Sequence, residues 1–211
     1  MDRSKVFVLL DNGHGKNTPG KRSPKLNDGR QLIEWAYARE IVNGIAERLK
    51  HEGIPYYLVH PEDEEIKSQS YDLSLRTTRA NTKASSLKKE GKTSIFISVH
   101  VNASGISTGW NKASGWTVHI ANKCSSNSLK LAQTLYSEAE KRGLKGNRSV
   151  PKEHAWRNDF WVLCKTSMPA VLTENLFMDN KEEVEYLLSE EGKNAIIDMH
   201  VEGIKKYIYS L

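Results

Sequence analysis

The amino-acid sequence predicts an α/β fold: one domain on a mainly parallel, mixed and twisted sheet of about six strands, with helices on both faces. Three observations predict it. Short apolar runs rich in β-branched residues recur along the chain and end at turn residues. Longer segments with helical period lie between them. The 211 residues, 38% of them hydrophobic, suffice for one substantial core and not for two large ones.

Taken in order, the expected strands cover residues 6–10, 54–59, 95–101, 116–120, 160–164 and 170–172. Between the first two, Ala38, Ile41, Val42, Ile45 and Leu49 make one apolar helical stripe, and Gly53 follows as a stop. The same reasoning places helices near 73–90, 128–142, 181–188 and 192–209. Strands alternating with helices imply a sheet covered on both sides. No repeat or low-complexity segment interrupts the pattern. The polar stretch 102–114, broken by Gly105 and Gly109, reads as a surface loop and not as an interdomain linker. Residues 1–211 are therefore expected to form a single domain.

Composition narrows the function classes. The formal net charge of +5 favours acidic partners, but the basic residues are spread along the chain. The acidic run Glu62-Asp63-Glu64-Glu65 is balanced by lysines elsewhere. A nucleic-acid arm or a polybasic membrane anchor is not expected. No run approaches the roughly 20 apolar residues of a membrane span. Residues 6–10 are too short for the apolar core of a signal peptide, so the chain as written is expected to stay in the cytoplasm. Cys124 and Cys164 lack the density of a disulfide scaffold or the spacing of a thiolate metal site, and read as reduced, partly buried thiols.

Four residues carry the candidate chemistry. The first strand ends in Asp11-Asn12-Gly13-His14-Gly15, which puts a histidine where ligands collect in open α/β sheets. A lone turn histidine is more often structural. The third strand repeats the arrangement, running through Ile97-Ser98-Val99 to His100. Glu34 lies one helical turn before Ala38, at the head of the inward-facing stripe, where a carboxylate is costly unless paired or bound to a cation. Its bland reading is a first-turn glutamate favoured by the helix dipole; the neighbouring Glu40 falls off the stripe. Glu174 follows the last strand and is expected at the same edge, as a proton carrier beside a metal-bound water or, blandly, as a helix cap. Two histidines and a carboxylate, with a fourth position open to water, are the donor set of a catalytic zinc site.

The remaining candidates read as structural. His51 and His60 are expected at the surface, His119 packed within a strand, His154 in a loop and His200 on a helix surface. Trp110, Trp116, Trp156 and Trp161 are either groove-lining or packing residues.

With these residues in place, the chain resembles the zinc-dependent N-acetylmuramoyl-L-alanine amidases of the amidase type 3 family. Asp11 to Gly15 matches the family's Asp-x-Gly-His-Gly, and Glu34 its metal-binding glutamate. Leu75-Arg76 with Ala80-Asn81 is similar to its Leu-Arg and Ala-Asn pair. Ser98 to Ala103 matches Ser-x-His-x-Asn-Ala, and Pro169 to Glu174 the strand that delivers the catalytic glutamate, with Asn180 beyond. Many relatives have proline where this chain has Asn12 and glycine where it has Leu176. The resemblance implies hydrolysis of the amide between the lactyl group of N-acetylmuramic acid and L-alanine of peptidoglycan. It assigns Zn2+ to His14, Glu34 and His100, proton transfer to Glu174, and orientation of His100 or substrate binding to Asn102. A zinc peptidase acting on the stem peptide and a non-catalytic peptidoglycan-binding domain are the alternatives. The absence of a leader and of a separate wall-binding module in the chain as written suggests a phage or prophage lysin, assumed monomeric, that reaches the cell wall after release or export, with a bacterial remodelling enzyme as runner-up.

Overall fold

Side chains alternate along β1 (Val6–Asn12): Val6, Val8 and Leu10 join one hydrophobic cluster and Leu9 another. A strand buried on both sides belongs inside a sheet that carries helices on both faces. The computed structural model describes residues 5–60, 65–105 and 109–211. Glu62, Asp63 and Glu64 of the acidic run, and the middle of the loop expected over 102–114, lie outside the described residues.

After β1 come α1 (Glu34–His51), β2 (Tyr56–Leu58), α2 (Gln69–Lys89), β3 (Thr93–Asn102) and β4 (Thr117–Ile120). They are followed by α3 (Ser126–Lys141), β5 (Trp156–Arg157), α4 (Trp161–Lys165), β6 (Ala170–Phe177), α5 (Lys181–Leu187) and α6 (Glu190–Tyr209). The six strands form one sheet in the order β2-β1-β3-β6-β4-β5. Every pairing is parallel except β4 against β6, which makes the sheet mixed, as expected from the sequence.

The two faces have separate cores. Ile41 and Ile45 of α1, Leu131 and Leu135 of α3 and Ile204 of α6 pack with Val8, Leu10 and Ile97. On the other face Ala80 and Leu87 of α2 and Val162 and Leu163 of α4 pack with Leu9, Phe96 and Leu172. Side-chain caps start most of the helices: Ser68 accepts from the Tyr71 N–H, Ser125 from Ser128, Asn180 from Glu183 and Ser189 from Gly192. α1 and α4 are the exceptions, because Ile33 and Phe160 precede them and supply no cap; α1 matters most to the site. Its first residue is instead pinned by backbone pairing, Glu34 N–H to the Lys21 carbonyl at 3.0 Å.

Two expectations are corrected. The strand expected over 160–164 is instead helix α4 (Trp161–Lys165) with Phe160 before it, and the edge strand comes earlier, at Trp156–Arg157. The apolar character of 160–164 is misleading, since Phe160 and Trp161 are 38% and 48% exposed and only Val162 and Leu163 reach the core. The last strand also runs past residue 172 to Phe177, so Glu174 lies within β6 and not after it. Thr173, Glu174 and Asn175 are polar, which hides a strand whose polar positions serve the site.

Beyond Glu174 the β3–β6 ladder slips: His100 pairs with Glu174, but Asn102 pairs with Phe177. The extra residue on β6 forms a bulge, and Leu176 within it has φ +63°. This left-handed conformation is one that glycine adopts more readily than leucine.

Candidate metal centre

Three donors meet where the chain leaves β1, enters α1 and completes β3. One donor atom each from His14, Glu34 and His100 lies within 4.8 Å of the others. His14 Nε2 is 3.2 Å from Glu34 Oε2, and His100 Nδ1 is 3.2 Å from Glu34 Oε1. The imidazoles stand edge to face, 4.9 Å between centroids. Glu40, the competitor, instead pairs with Lys193 at 2.7 Å.

Local structure explains each position. The β1 ladder ends at Asn12, and Gly13 N–H bonds the Val99 carbonyl at 2.8 Å, so the turn hugs β3. A Cβ at Gly13 would fall 2.2 Å from His100 Cε1, which means that only glycine lets the backbone lie on that ring. His14 follows at φ +63°, a region uncommon for residues with a Cβ. Arg76 of α2 holds this turn from behind. Its guanidinium bonds Asp11 at 2.6 Å, Asp72 at 2.8 Å, the His14 carbonyl at 2.6 Å and the Asn12 carbonyl. Asp11 also accepts from Ser98 Oγ at 2.6 Å, which ties the network to β3.

Glu34 is 1% exposed. Its Oε1 accepts from Val101 N–H at 3.1 Å, while Oε2 has no hydrogen bond although His14 Nε2 is near. Burial alone raises this carboxyl, but the two imidazoles outweigh it and hold Glu34 well below the ordinary carboxylate range. Burial lowers His14, against the pull of Glu34. Burial also works to lower His100, but Glu34 and the charge on Glu174 carry it above its ordinary value. An ionised buried carboxylate with one oxygen lacking a hydrogen bond, flanked by two imidazoles, fits a divalent cation such as zinc.

Glu174 faces the same cleft. Its Oε2 is buried without a hydrogen-bond partner, and burial pushes its carboxyl up to about 7. The cleft, about 480 Å³, is lined by all four of these residues and flanked by Phe160 and Trp161. Asn102 lines it too, and its Oδ1 accepts from Ala103 N–H at 2.8 Å. A contact to the backbone of His100 comes from Asn175, which the sequence did not single out. It donates to the His100 carbonyl at 2.8 Å and accepts from Trp116 Nε1 at 2.7 Å.

The other residues divide between expectation and correction. Trp116 is a packing residue, and His51 and His154 are exposed. His119 is packed, as expected, between Thr117 and Asn158. His60 is buried and not exposed, 3.4 Å from Asp72, because α2 covers it. His200 is fully buried and not on the helix surface: Nδ1 donates to the Ile196 carbonyl and Thr173 Oγ1 lies 3.0 Å from Nε2. The cysteines form no disulfide, and Cys164 is exposed.

Fold and site together define a family. The chain matches the model of the N-acetylmuramoyl-L-alanine amidases over residues 8–206, and it belongs to that family. It is 28% identical over 204 residues to an endolysin of Bacillus phage SPP1, covering 96% of this chain and 66% of that protein. It is 24% identical over 200 residues to a probable cell wall amidase, LytH, of Staphylococcus aureus, covering 95% of this chain and 57% of LytH. The chain thus spans less than two thirds of the length of both relatives. Among solved structures, the N-acetylmuramoyl-L-alanine amidase of Clostridium difficile 630 superposes with a TM-score of 0.78 at 24% identity, covering 98% of each chain. No helix among the described residues is long and apolar enough to cross a membrane.

Proposed function

We propose that this protein hydrolyses the amide joining the lactyl group of N-acetylmuramic acid to L-alanine in peptidoglycan, as a single catalytic domain using one zinc ion. The observation that carries the reading is the meeting of His14, Glu34 and His100 within 4.8 Å, beside a Glu174 oxygen that has no other partner. His14, Glu34 and His100 would hold the metal. Bound there, Zn2+ supplies Lewis acidity to the substrate carbonyl and to the attacking water.

Glu174 moves the proton. Ionised, it accepts a proton from water as the oxygen adds to the carbonyl carbon; protonated, it returns that proton to the nitrogen as the carbon–nitrogen bond breaks. A carboxyl pushed up to about 7 suits both directions near neutral pH. Asn102, on the rim, is a substrate contact. The setting is the bacterial cell wall, reached from inside by a phage lysin or acting in a bacterial enzyme's remodelling role; both kinds of relative match.

The experiment pairs metal analysis with dye release from purified peptidoglycan. Glu174→Ala is expected to keep zinc and lose activity, and His14→Ala and His100→Ala to lose zinc. Full activity in Glu174→Ala overturns the assignment. Mass spectrometry of the digest, with and without chelator, identifies the bond: intact peptides freed from glycan support the amidase, and cut peptides support a peptidase.

A further inference from the structure

Past Glu174 the cleft opens into a second cavity of about 310 Å³, which shares Asn102, Phe160 and Glu174 with the first. Arg148 lines it. The guanidinium carbon of Arg148 sits 5.9 Å from the ring centre of Trp156 and 5.3 Å from that of Phe177. Ring faces hold the planar group in place without occupying its N–H donors. Among the described residues Arg148 makes no hydrogen bond and no ion pair. The contrast with Arg76, engaged by two carboxylates and two carbonyls, is complete.

The surroundings point to an anion. The other basic side chain on the cavity wall is His119, which burial lowers to about 4 and keeps neutral. The charge of Arg148 reaches both Glu174 and His119. A fixed guanidinium with free donors is the fork that carboxylates accept in two parallel hydrogen bonds. The scissile bond indicates where such a carboxylate comes from. The lactyl carboxyl is already consumed as the acyl half of the amide, so a free carboxylate near the bond belongs to the peptide half.

We propose that Arg148 determines specificity for the peptide half of the substrate, binding in the second cavity a carboxylate carried next to the scissile L-alanine. The proposal rests on the amidase reading above. It also sets a direction: glycan on the side of His14 and Trp161, and the departing peptide beyond Glu174.

The test compares two soluble N-acetylmuramoyl-L-alanyl peptides that differ at the residue after alanine, one with a free carboxylate and one with its carboxamide. For the wild type, kcat/KM is expected to favour the carboxylate by about 10- to 100-fold, the effect of a charge-assisted pair. Arg148→Gln is expected to bring that ratio close to one, and Arg148→Lys, which keeps charge but loses the fork, to give an intermediate value. A ratio between substrates on one protein is unaffected by partial unfolding. A ratio near one in the wild type, or one unchanged in Arg148→Gln, overturns the proposal. Cleavage of neither substrate by the wild type overturns the amidase reading itself, and the proposal with it.

Discussion

His100 and Glu174 are direct partners in the parallel ladder between β3 and β6. Neighbouring strands lie about 4.8 Å apart, so backbone hydrogen bonding, and no loop, sets the spacing between the proposed metal ligand and the proposed proton carrier. The bulge begins immediately afterwards and shifts the register, so that Asn102 pairs with Phe177. Rigid placement of this kind lets a proton carrier act without reorganising.

Gly13→Ala tests the close approach to His100. The added Cβ would fall 2.2 Å from Cε1 of the imidazole and must displace it. Zinc affinity, measured by competition with a chelator, is expected to fall about 10- to 100-fold, the range seen when ligand orientation is disturbed. Wild-type affinity in this variant contradicts the account.

Arg76→Met tests the buried network. It removes the guanidinium from Asp11 and Asp72, which are 1% and 4% exposed, and leaves Asp72 only His60 at 3.4 Å among the described residues. Denaturant unfolding is expected to show a loss of about 3–5 kcal/mol. Arg76→Lys keeps the charge but cannot reach four acceptors from one nitrogen, and should recover only part of it. A loss under about 1 kcal/mol in Arg76→Met is incompatible with the geometry.

At position 176 the usual ranking of small residues should invert. Leu176 is 3% exposed, so truncation to alanine costs about 2–5 kcal/mol. Alanine retains the strain of φ +63°, about 1–2 kcal/mol, whereas glycine relieves it. Leu176→Gly is therefore expected to melt at or above Leu176→Ala. Thermal melts with glycine clearly lower exclude a strained bulge.

Acid stability should depend on Glu138. Burial raises this carboxyl, but Lys206, Arg142 and Lys141 outweigh it and hold it at about 2, below its ordinary 4.5. Because the folded value is the lower one, the stabilisation is present above pH 4.5 and fades as pH falls towards 2. The basic partners are partly exposed, so about 1–2 kcal/mol is expected. Unfolding free energies from pH 6 to 2 should fall less steeply in Glu138→Gln; parallel curves refute the assignment.

Much of this was legible in the sequence because it is written in short-range pattern. The apolar stripe from Ala38 to Leu49 and the strand of Val6 to Leu10 each carry one clear period, and both formed as expected. His14, Glu34, His100 and Glu174 could be read because each abuts such an element. His60 and His200 could not, since their burial is tertiary: His60 lies against Asp72 of α2, and His200 turns from α6 onto Thr173 of β6 and the Trp116 ring. Asn175 was obscured because it follows Glu174 in a polar stretch that gives no strand signal. Arg148 had no local signal at all: its two rings belong to Trp156 and Phe177, and only the folded sheet brings them together.

The outermost strands of the sheet, β2 and β5, have three and two residues. A foreign β-chain seeking to extend the sheet would find too few free amides and carbonyls on either flank to register against. Self-assembly by strand addition is thereby discouraged, a property that would suit the proposed work against a crowded, insoluble wall polymer.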